Sequence, residues 1–428
     1  MSRRRVVITG MGVISPQGES VDAVYQAQIA GKSAVGWITR FDASSLPTKI
    51  AAECRDFQLS KHIDHAEQYA DAGMNTQFAL AATQAALEDA KLLDPAMDRS
   101  GIGVYLGAGE GRQDFESLIP TIAQTSDPAS LTIDARKFGV ASKQRFNAGL
   151  EREQEMHTVS GNVARHFKLG GPNYACLTAC AAGSQAIGEA ADIIRRGDAD
   201  IMVAGGSHTM IHPFGVTGFN LLTALCTNEG DPTKASCPFD FRRGGFVMGE
   251  GAGILVLEEY EHAKKRGATI YAELAGYGTT ADAYRVTDSC PDGRGAVASM
   301  KEALKDAGLT ADDIGYINAH GTSTVVNDKG ETAAIKTLFG ANAKKIPVSS
   351  SKSMMGHLIA AAGAVEAIIC VKTLQHGVLP PTINYEVPDP DCDLDYVPNV
   401  AREKKVTHVM SNSFGFGGQN VALIVSKI

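Results

Sequence analysis

The chain has 428 residues, of which 44% are hydrophobic, and its formal net charge is -8. This length allows two or three domains with a large buried core, and the acidic balance argues against a general nucleic-acid or membrane-surface binder. The eight cysteines do not suit a short disulfide framework, and none has zinc-site spacing. We therefore predict no metal and a reducing, cytoplasmic compartment.

The N-terminal residues lead directly into the first predicted strand. The basic residues 3–5 precede an apolar run at 6–10, which is too short for a signal peptide. Farther along, the longest apolar helix candidate, 358–374, contains Glu366 and Lys372. These charges favour a core helix over a bilayer segment, so we expect no membrane span.

A glycine-rich segment at 10–15 is one residue short of a dinucleotide-binding fingerprint. Pro16 follows at once, and no clear acidic strand end appears about 20 residues later, where such a site would place one. We favour tight-turn packing for these glycines. A nicotinamide oxidoreductase remains the alternative from another enzyme class, and titration with NADH would test it.

Apolar strand-like runs alternate with amphipathic helix-like runs, which predicts an α/β layered fold. The predicted strands are 101–106, 201–204, 253–257, 314–318, 346–349 and 421–425, and the predicted helices are 76–90, 184–196 and 295–307.

The two halves of the chain resemble each other. Residues 86–90 recur in similar form at 303–307, and residues 245–253 are similar to 414–420. Such self-similarity indicates a duplicated α/β unit. We place the N-terminal half at 1–258 and the C-terminal half at 259–428, packed as one body because no linker separates them.

Cys180 lies on a predicted strand-to-helix turn at 177–184. There the helix dipole would lower the pKa of its thiol from about 8.5 and favour the thiolate. Free cysteine is usually a buried small hydrophobe, but two downstream segments favour a nucleophile. His320 and His357 each lie in a Gly- and Ser-rich turn, and a nucleophilic thiol needs bases or hydrogen-bond donors brought to it in space.

The other histidines lack such a context, and we predict that each is structural or solvated. They are His62, His65, His157, His166, His208, His212, His262, His376 and His408.

Four motifs occur in order along the chain. They are Thr-Ala-Cys at 178–180, His-Gly-Thr-Ser-Thr at 320–324 followed by Glu331, Lys-Ser-Met-Met-Gly-His at 352–357 and Asn-Ser-Phe-Gly-Phe-Gly-Gly at 412–418. Together they resemble the β-ketoacyl-acyl-carrier-protein synthases of the elongating, type II class, and the resemblance covers nearly the whole chain. It implies the thiolase fold, in which duplicated α/β halves form a five-layer αβαβα body.

The resemblance implies an acyltransferase that performs decarboxylative Claisen condensation in fatty acid elongation. Cys180 would take an acyl group from the phosphopantetheine of an acyl carrier protein, and a malonyl thioester would lose carbon dioxide to give an enolate that attacks the acyl-cysteine. His320 and His357 would donate hydrogen bonds to the enolate oxygen. The backbone N–H groups of Cys180 and Phe416 would hold the oxyanion of acyl transfer. No resident cofactor is implied, and a homodimer is expected.

The resemblance also assigns supporting residues. Lys352 would place a positive charge near the histidines, with Glu331 as its expected partner. Phe416, flanked by glycines, would gate the acyl tunnel. The residues implied to bind substrate are Thr322, Thr324, Phe414 and Glu110, and those implied to dock the carrier are Arg136, Lys137 and Thr287.

Some features depart from the family pattern. Glu110 occupies a turn that usually carries an apolar tunnel residue, and a carboxylate there is costly beside a fatty chain. The segment at 138–157 is longer and more polar than usual. A ketosynthase of a type II polyketide or other specialised acyl pathway is therefore the alternative within the fold. A non-condensing partner subunit is the alternative outside enzymes, but the presence of Cys180 counts against it.

Overall fold

The structure is a computed structural model that describes residues 3–109, 111, 113–285 and 290–428. Within these ranges the main sheet has ten strands in the order β8-β7-β9-β10-β6-β1-β5-β4-β2-β3. The strands are β1 (Val6–Ile14), β2 (Ile102–Ala108), β3 (Asn173–Cys176), β4 (Ile201–His208), β5 (Gly251–Glu259), β6 (Ala272–Ala281), β7 (Tyr316–Asn318), β8 (Val348–Ser349), β9 (His408–Phe414) and β10 (Gln419–Ser426). Short two-residue strands form antiparallel pairs outside it: Gly36–Trp37 with Ile50–Ala51, Ser126–Asp127 with Thr132–Ile133, and Val378–Leu379 with Arg402–Glu403.

The sheet consists of two five-stranded parts with the same topology. In the first, β2 is parallel to β3 and β4, and β5 is antiparallel to β4 and β1. In the second, β7 is parallel to β8 and β9, and β10 is antiparallel to β9 and β6. The parts meet at β1 and β6, where Val7 pairs with Glu273 and Ile8 with Ala272. The matching strand orders confirm that the α/β unit is duplicated.

The helices connect these strands and cover their faces. They are α1 (Val21–Ile29), α2 (Met74–Asp89), α3 (Phe115–Thr125), α4 (Ala135–Arg145), α5 (Ala148–Arg152), α6 (His157–Phe167), α7 (Ala182–Arg196), α8 (Pro213–Leu221), α9 (Tyr260–Lys265), α10 (Arg294–Ala307), α11 (Val325–Phe339), α12 (Lys352–Met355) and α13 (Ala362–His376).

Three apolar cores define the layers. One core joins α7 and α13 to the inner faces of both sheet parts, a second joins α2 and α6 to the first part, and a third joins α10 and α11 to the second. Successive side chains of a strand point to opposite faces. Leu255 and Leu257 accordingly belong to the central core, whereas Ile254 and Val256 belong to the second. This arrangement confirms the five-layer αβαβα body.

The glycines at the N-terminus have a packing role. Gly10 and Gly12 lie inside β1, where a Cβ atom would come within 2.3 Å of Ala86 O and 1.9 Å of Ala82 O respectively. Both carbonyls belong to α2, so the glycines allow this helix to approach the strand. A dinucleotide fingerprint requires a loop that opens towards a ligand. The observed position in a buried strand therefore argues against the oxidoreductase alternative.

Among the described residues, one helix, Ile359–His376, is long and apolar enough to cross a membrane by length and composition alone. Of this stretch, 83% is buried inside the protein. It includes α13, whose residues Ala364 and Ile368 pack in the central core. The burial confirms the prediction of a core helix for this segment.

Candidate active site

Cys180 lies in the connection between β3 and α7. It is the middle residue of a 3-10 turn, Ala179–Ala181, that leads directly into the helix. Ala179 has φ of 46°, a left-handed conformation that non-glycine residues adopt rarely. Such strain is typical of functional sites. A Cβ atom on the facing Gly415 would lie 2.9 Å from Thr178 O, so a glycine is required there for the C-terminal loop to pack against this turn.

The thiol does not have the lowered pKa that the sequence predicted. Burial raises the pKa of Cys180 to about 11, because a thiolate loses its hydration in this enclosed position. Three groups oppose the burial and favour the thiolate: the positive charge of Lys352 and hydrogen bonds from the backbone N–H groups of Phe416 and Cys180. The position at a helix start is therefore correct, but the prediction about the pKa is wrong. The two N–H groups already point at the sulfur.

His320 and His357 face the thiol. One nitrogen atom of each ring and the sulfur of Cys180 all lie within 4.8 Å of one another, and the two rings meet edge to face with centroids 5.3 Å apart. Burial and the nearby charge of Lys352 hold the pKa of both imidazoles well below the usual value. Both rings are therefore neutral at physiological pH.

The tautomer of His357 follows from its surroundings. Its Nδ1 accepts a hydrogen bond from the backbone N–H of Ile359 at 3.2 Å. A neutral ring whose Nδ1 is an acceptor carries its proton on Nε2. This Nε2–H is buried and has no partner among the described residues. His357 therefore offers a free donor, which an oxygen atom of a substrate can accept.

Lys352 pairs with Glu366 and not with Glu331. The Nζ atom lies 2.5 Å from Glu366 Oε1, both side chains are almost fully buried, and Ser351 Oγ donates to the same oxygen at 3.0 Å. The predicted pairing is therefore wrong. The sequence held a signal for the correct one, because Glu366 interrupts an apolar helix and a buried carboxylate needs a partner.

Glu331 supports the loop that carries His320. Its carboxylate accepts hydrogen bonds from the backbone N–H groups of His320 at 2.9 Å and Gly321 at 2.8 Å, and from Asn412 Nδ2 at 3.2 Å. Burial raises its pKa to about 7 despite these donors. Glu331 thus positions the histidine loop without contacting Lys352.

A small cavity of about 50 Å³ joins these groups. Its lining residues are Cys180, Phe246, His320, Thr322, Thr324, Asn327, His357, Phe414, Gly415 and Phe416. The structure thus brings together the sequence-predicted residues from both halves of the chain. Phe246 and Asn327 were not among the predicted site residues. Phe246 is not distinguishable in sequence from an ordinary core residue, and Asn327 lies in the motif that ends at Glu331 but was assigned no role of its own.

The two threonines and Phe416 lie at the cavity wall. Thr322 Oγ1 and Thr324 Oγ1 are 2.9 Å apart, and Thr324 also caps the start of α11 by accepting from Asn327 N–H. The ring of Phe416 is half-buried, with its centroid 6.5 Å from that of Phe219. A ring with this exposure can move, as a gate requires.

The remaining predicted residues lie elsewhere. Arg136 and Lys137 are exposed in the first turn of α4, which has no buried residue, and Lys137 Nζ is 3.6 Å from Asp134. Glu110 and Thr287 lie outside the described residues.

Comparisons with known proteins agree with this geometry. The model of the beta-ketoacyl synthase N-terminal domain matches residues 3–263, and that of the C-terminal domain matches residues 271–386. A curated relative from Coxiella burnetii (strain RSA 493 / Nine Mile phase I), a 3-oxoacyl-[acyl-carrier-protein] synthase 2, is 46% identical over 428 residues and covers 100% of both chains.

Solved structures give the same assignment. One is a type II PKS acyl-carrier protein in complex with its ketosynthase bound to the hexaketide, with 34% identity, a TM-score of 0.87 and 100% coverage of both chains. Another is a beta-ketoacyl synthase from Burkholderia phymatum STM815, with 34% identity, a TM-score of 0.87, and coverage of 99% of this chain and 100% of the other. With its cysteine and two histidines on one cavity, the chain belongs to the β-ketoacyl synthase family.

Proposed function

We propose that this protein is a 3-oxoacyl-[acyl-carrier-protein] synthase, an acyltransferase that condenses a malonyl thioester with a cysteine-bound acyl group in fatty acid elongation. One observation carries the proposal. The sulfur of Cys180 lies within 4.8 Å of two neutral imidazoles, so a nucleophile and donors for a developing negative charge share one cavity.

The first half-reaction transfers the acyl group. The sulfur of Cys180 attacks the carbonyl carbon of the acyl thioester, a new C–S bond forms, and the bond to the pantetheine sulfur breaks. The proton of the Cys180 thiol ends on the leaving pantetheine sulfur. The backbone N–H groups of Cys180 and Phe416, which point at the sulfur in the free enzyme, are close enough to stabilise the oxyanion.

The second half-reaction forms the carbon–carbon bond. The malonyl carboxylate leaves as carbon dioxide, and its bonding electrons form an enolate. The Nε2–H of His357 is preorganised to donate to the enolate oxygen, and the ring of His320 lies beside it. The enolate carbon then attacks the acyl carbonyl, the C–S bond to Cys180 breaks, and the Cys180 thiolate that is released takes up a proton from water. Carrier-borne phosphopantetheine supplies the thioesters, so no resident cofactor or metal enters the scheme.

The partners follow from the same proposal. An acyl carrier protein delivers both substrates, and the exposed Arg136 and Lys137 are suitable for its acidic surface. We also propose a homodimer. Strand β3 is the last strand at one edge of the main sheet within the described ranges, and Tyr174 on it is 52% exposed. An uncovered edge of this kind favours pairing with a second copy.

We propose a cytoplasmic location as well. None of the eight cysteines forms a disulfide bond. A reducing compartment keeps a catalytic thiol in this reduced state.

The decisive experiment follows the acyl group. Incubation with an acyl carrier thioester should add one acyl mass to the peptide that contains Cys180, and malonyl carrier protein should then release it as a β-ketoacyl product. Cys180→Ala should abolish both events. Cys176→Ala is the matched control, since this cysteine lies in the same segment but its thiol is not in the cavity, and it should retain activity. Product formation by Cys180→Ala would refute the proposal.

A further inference from the structure

Two cysteines that the catalytic scheme does not use line one cavity. This thiol cavity has a volume of about 420 Å³, and its wall includes Cys226 and Cys237 together with the exposed residues Asn228, Asp231 and Lys234. Each of the two cysteines is 5% exposed, and neither forms a disulfide bond. The exposed part of the wall lets water and small solutes enter, so a diffusible reagent can meet two thiols at one site.

The side chain of Cys226 points at the segment that carries Cys237. Cys226 Sγ donates a hydrogen bond to Ala235 O at 3.7 Å, and Ala235 is two residues before Cys237. A negative charge on Cys226 is near enough to raise the pKa of Cys237. The two thiols are therefore neighbours, although ten residues separate them in the chain.

Cys237 supports the loop that carries His320. Its backbone N–H donates to Ser323 Oγ at 3.0 Å, and the same hydroxyl lies 3.9 Å from Cys237 Sγ. Ser323 has φ of 71°, a left-handed conformation that persists only where the surrounding contacts hold it. Its neighbours Thr322 and Thr324 line the small cavity at Cys180, the catalytic cavity. One hydrogen bond thus connects Cys237 to a residue between two members of the catalytic wall.

Ser236 and Cys226 contact the other side of the catalytic cavity. Ser236 Oγ donates to Lys352 O at 2.8 Å, and Lys352 starts the short helix α12 that leads to His357. The backbone N–H of Cys226 donates to Phe246 O at 2.9 Å. The ring of Phe246 lines the catalytic cavity and meets His357 edge to face, with centroids 5.2 Å apart. The segments that carry the two thiols are therefore hydrogen-bonded to both histidine loops.

Two thiols in one cavity can be oxidised to a disulfide, and in a reducing compartment such disulfides are usually transient and redox-sensing. We propose that Cys226 and Cys237 form a redox-sensitive pair whose oxidation by a peroxide slows condensation at Cys180. The peroxide oxidises one thiol to a sulfenic acid, and the second thiol displaces water from it. One hydrogen peroxide and two thiols give one disulfide and two water molecules. The effect on condensation rests on the proposed function, whereas the disulfide itself does not.

The disulfide changes the contacts behind the catalytic cavity. Oxidation removes the S–H group that Cys226 donates to Ala235 O, and it fixes the two cysteine Cα atoms about 4.4–6.8 Å apart. The constraint acts on the segment 235–237, which is hydrogen-bonded to Ser323 and Lys352. A displacement of about 1 Å at a catalytic site can reduce the rate about 100-fold. We therefore expect condensation to slow by roughly tenfold or more.

Burial sets the conditions under which the pair reacts. It raises the pKa of both thiols, that of Cys237 to about 11. The charge of Asp240 adds to the shift at Cys237, and that of Arg242 opposes it. The thiolate is the reactive form, and its fraction rises about tenfold for each pH unit below the pKa. Disulfide formation should therefore be slow at about pH 7 and faster at about pH 9.

Peptide mapping tests the disulfide. The wild-type protein is treated with hydrogen peroxide, the remaining thiols are alkylated, and the protein is digested with trypsin without reduction. Cleavage after Lys234 separates the two cysteines, so the disulfide joins two peptides that dithiothreitol releases. This cross-linked pair should form faster at about pH 9 than at about pH 7. Recovery of both cysteines as alkylated thiols or as sulfinic acids would overturn the inference.

The rate of β-ketoacyl formation tests the connection to the active site. Peroxide should slow the wild type roughly tenfold or more when the disulfide is complete, and dithiothreitol should restore the rate. Because peroxide also attacks Cys180, the comparison is with Cys237→Ala, which keeps the catalytic thiol but cannot form the disulfide. This variant should lose much less activity. Cys226→Ala gives the same comparison if Cys237→Ala does not fold.

Cys392→Ala is the matched control, since Cys392 is fully buried and burial raises its pKa to about 11, but it lies outside the thiol cavity. It should respond to peroxide as the wild type does. Equal inactivation of the wild type and Cys237→Ala, or full activity of the cross-linked protein, would overturn the inference and leave the proposed function intact. Absence of condensation by the untreated enzyme would instead contradict the proposed function, while the peptide map would still report the disulfide.

Discussion

Replacing Lys352 separates the electrostatic role of the buried ion pair from its structural role. Lys352→Met leaves Glu366 buried without a partner, and breaking a buried pair in this way typically costs about 3–5 kcal/mol of unfolding free energy. Combining Lys352→Met with Glu366→Leu removes both charges. Replacement of a buried pair by apolar residues of similar volume is often neutral, so the double variant should recover most of the stability.

The double variant should recover stability but not the reactivity of the Cys180 thiol. Lys352 lowers the pKa of the Cys180 thiol, and Glu366 raises it by a smaller effect. Loss of both charges therefore raises this pKa, and each pKa unit reduces the thiolate fraction about tenfold at a fixed pH below it. Iodoacetamide should then label Cys180 more slowly in the double variant than in the wild type. The pKa values of His320 and His357 should rise, because Lys352 lowers both.

Two measurements check this reasoning. Denaturant unfolding gives the stability of the wild type and of both variants, and mass spectrometry of the labelled Cys180 peptide gives its reaction rate across the pH range. Lys372→Met is the control, since its partner Asp22 is exposed and such pairs contribute about 0–1 kcal/mol. Wild-type labelling in the double variant, or wild-type stability in the single variant, would refute the assigned role of the pair.

The remaining predictions concern catalysis, docking and acid stability. His320→Ala and His357→Ala should slow carbon dioxide release by about 100- to 1000-fold, the usual loss for one oxyanion donor, while acyl transfer suffers less; unchanged release would remove that histidine from the mechanism. Charge reversal at Arg136 and Lys137 should raise KM for a carrier-bound thioester but not for a pantetheine thioester, and equal losses would indicate misfolding. Burial lowers the pKa of His212 to about 4 in the folded protein. As the pH falls below about 6.5, this histidine therefore becomes protonated in the unfolded chain while it stays neutral in the folded protein. Unfolding free energy should therefore decrease by roughly 1.4 kcal/mol per pH unit between these values, an effect that His212→Gln should reduce.

The sequence predicted the repeated strands and the residues that meet in the active site, because these depend on local patterns and on ordered motifs. It could not predict quantities that depend on burial in three dimensions. The pKa of Cys180 is raised because the turn is enclosed by the C-terminal loop, and no feature near residue 180 reports that enclosure. Helix α11 was also not predicted, since Val325 and Val326 at its start are exposed and obscure its apolar face.

The environment of two histidines could not be predicted from the sequence either. His208 and His212 have no motif around them and were assigned structural or solvated roles. The proximity of His208 to His357 depends on how β4 ends beside β2, which involves residues about a hundred positions apart in the chain. Only the assembled sheet shows that the ring of His208 is buried and that its nitrogens have no hydrogen-bond partner among the described residues.

The shared central core has a consequence for how the protein unfolds. Helices α7 and α13 belong to opposite halves, yet they form one apolar core with both parts of the sheet. The first turn of α7 approaches the 3-10 turn Ile359–Ala361, which leads into α13, so closely that a Cβ atom on Gly183 would lie 2.6 Å from Ala360 O. Neither half can therefore keep a complete core when the other is lost, and the chain should denature as a single cooperative unit. A mutation that destabilises the second half would therefore also unfold the first half and inactivate Cys180, which the first half carries.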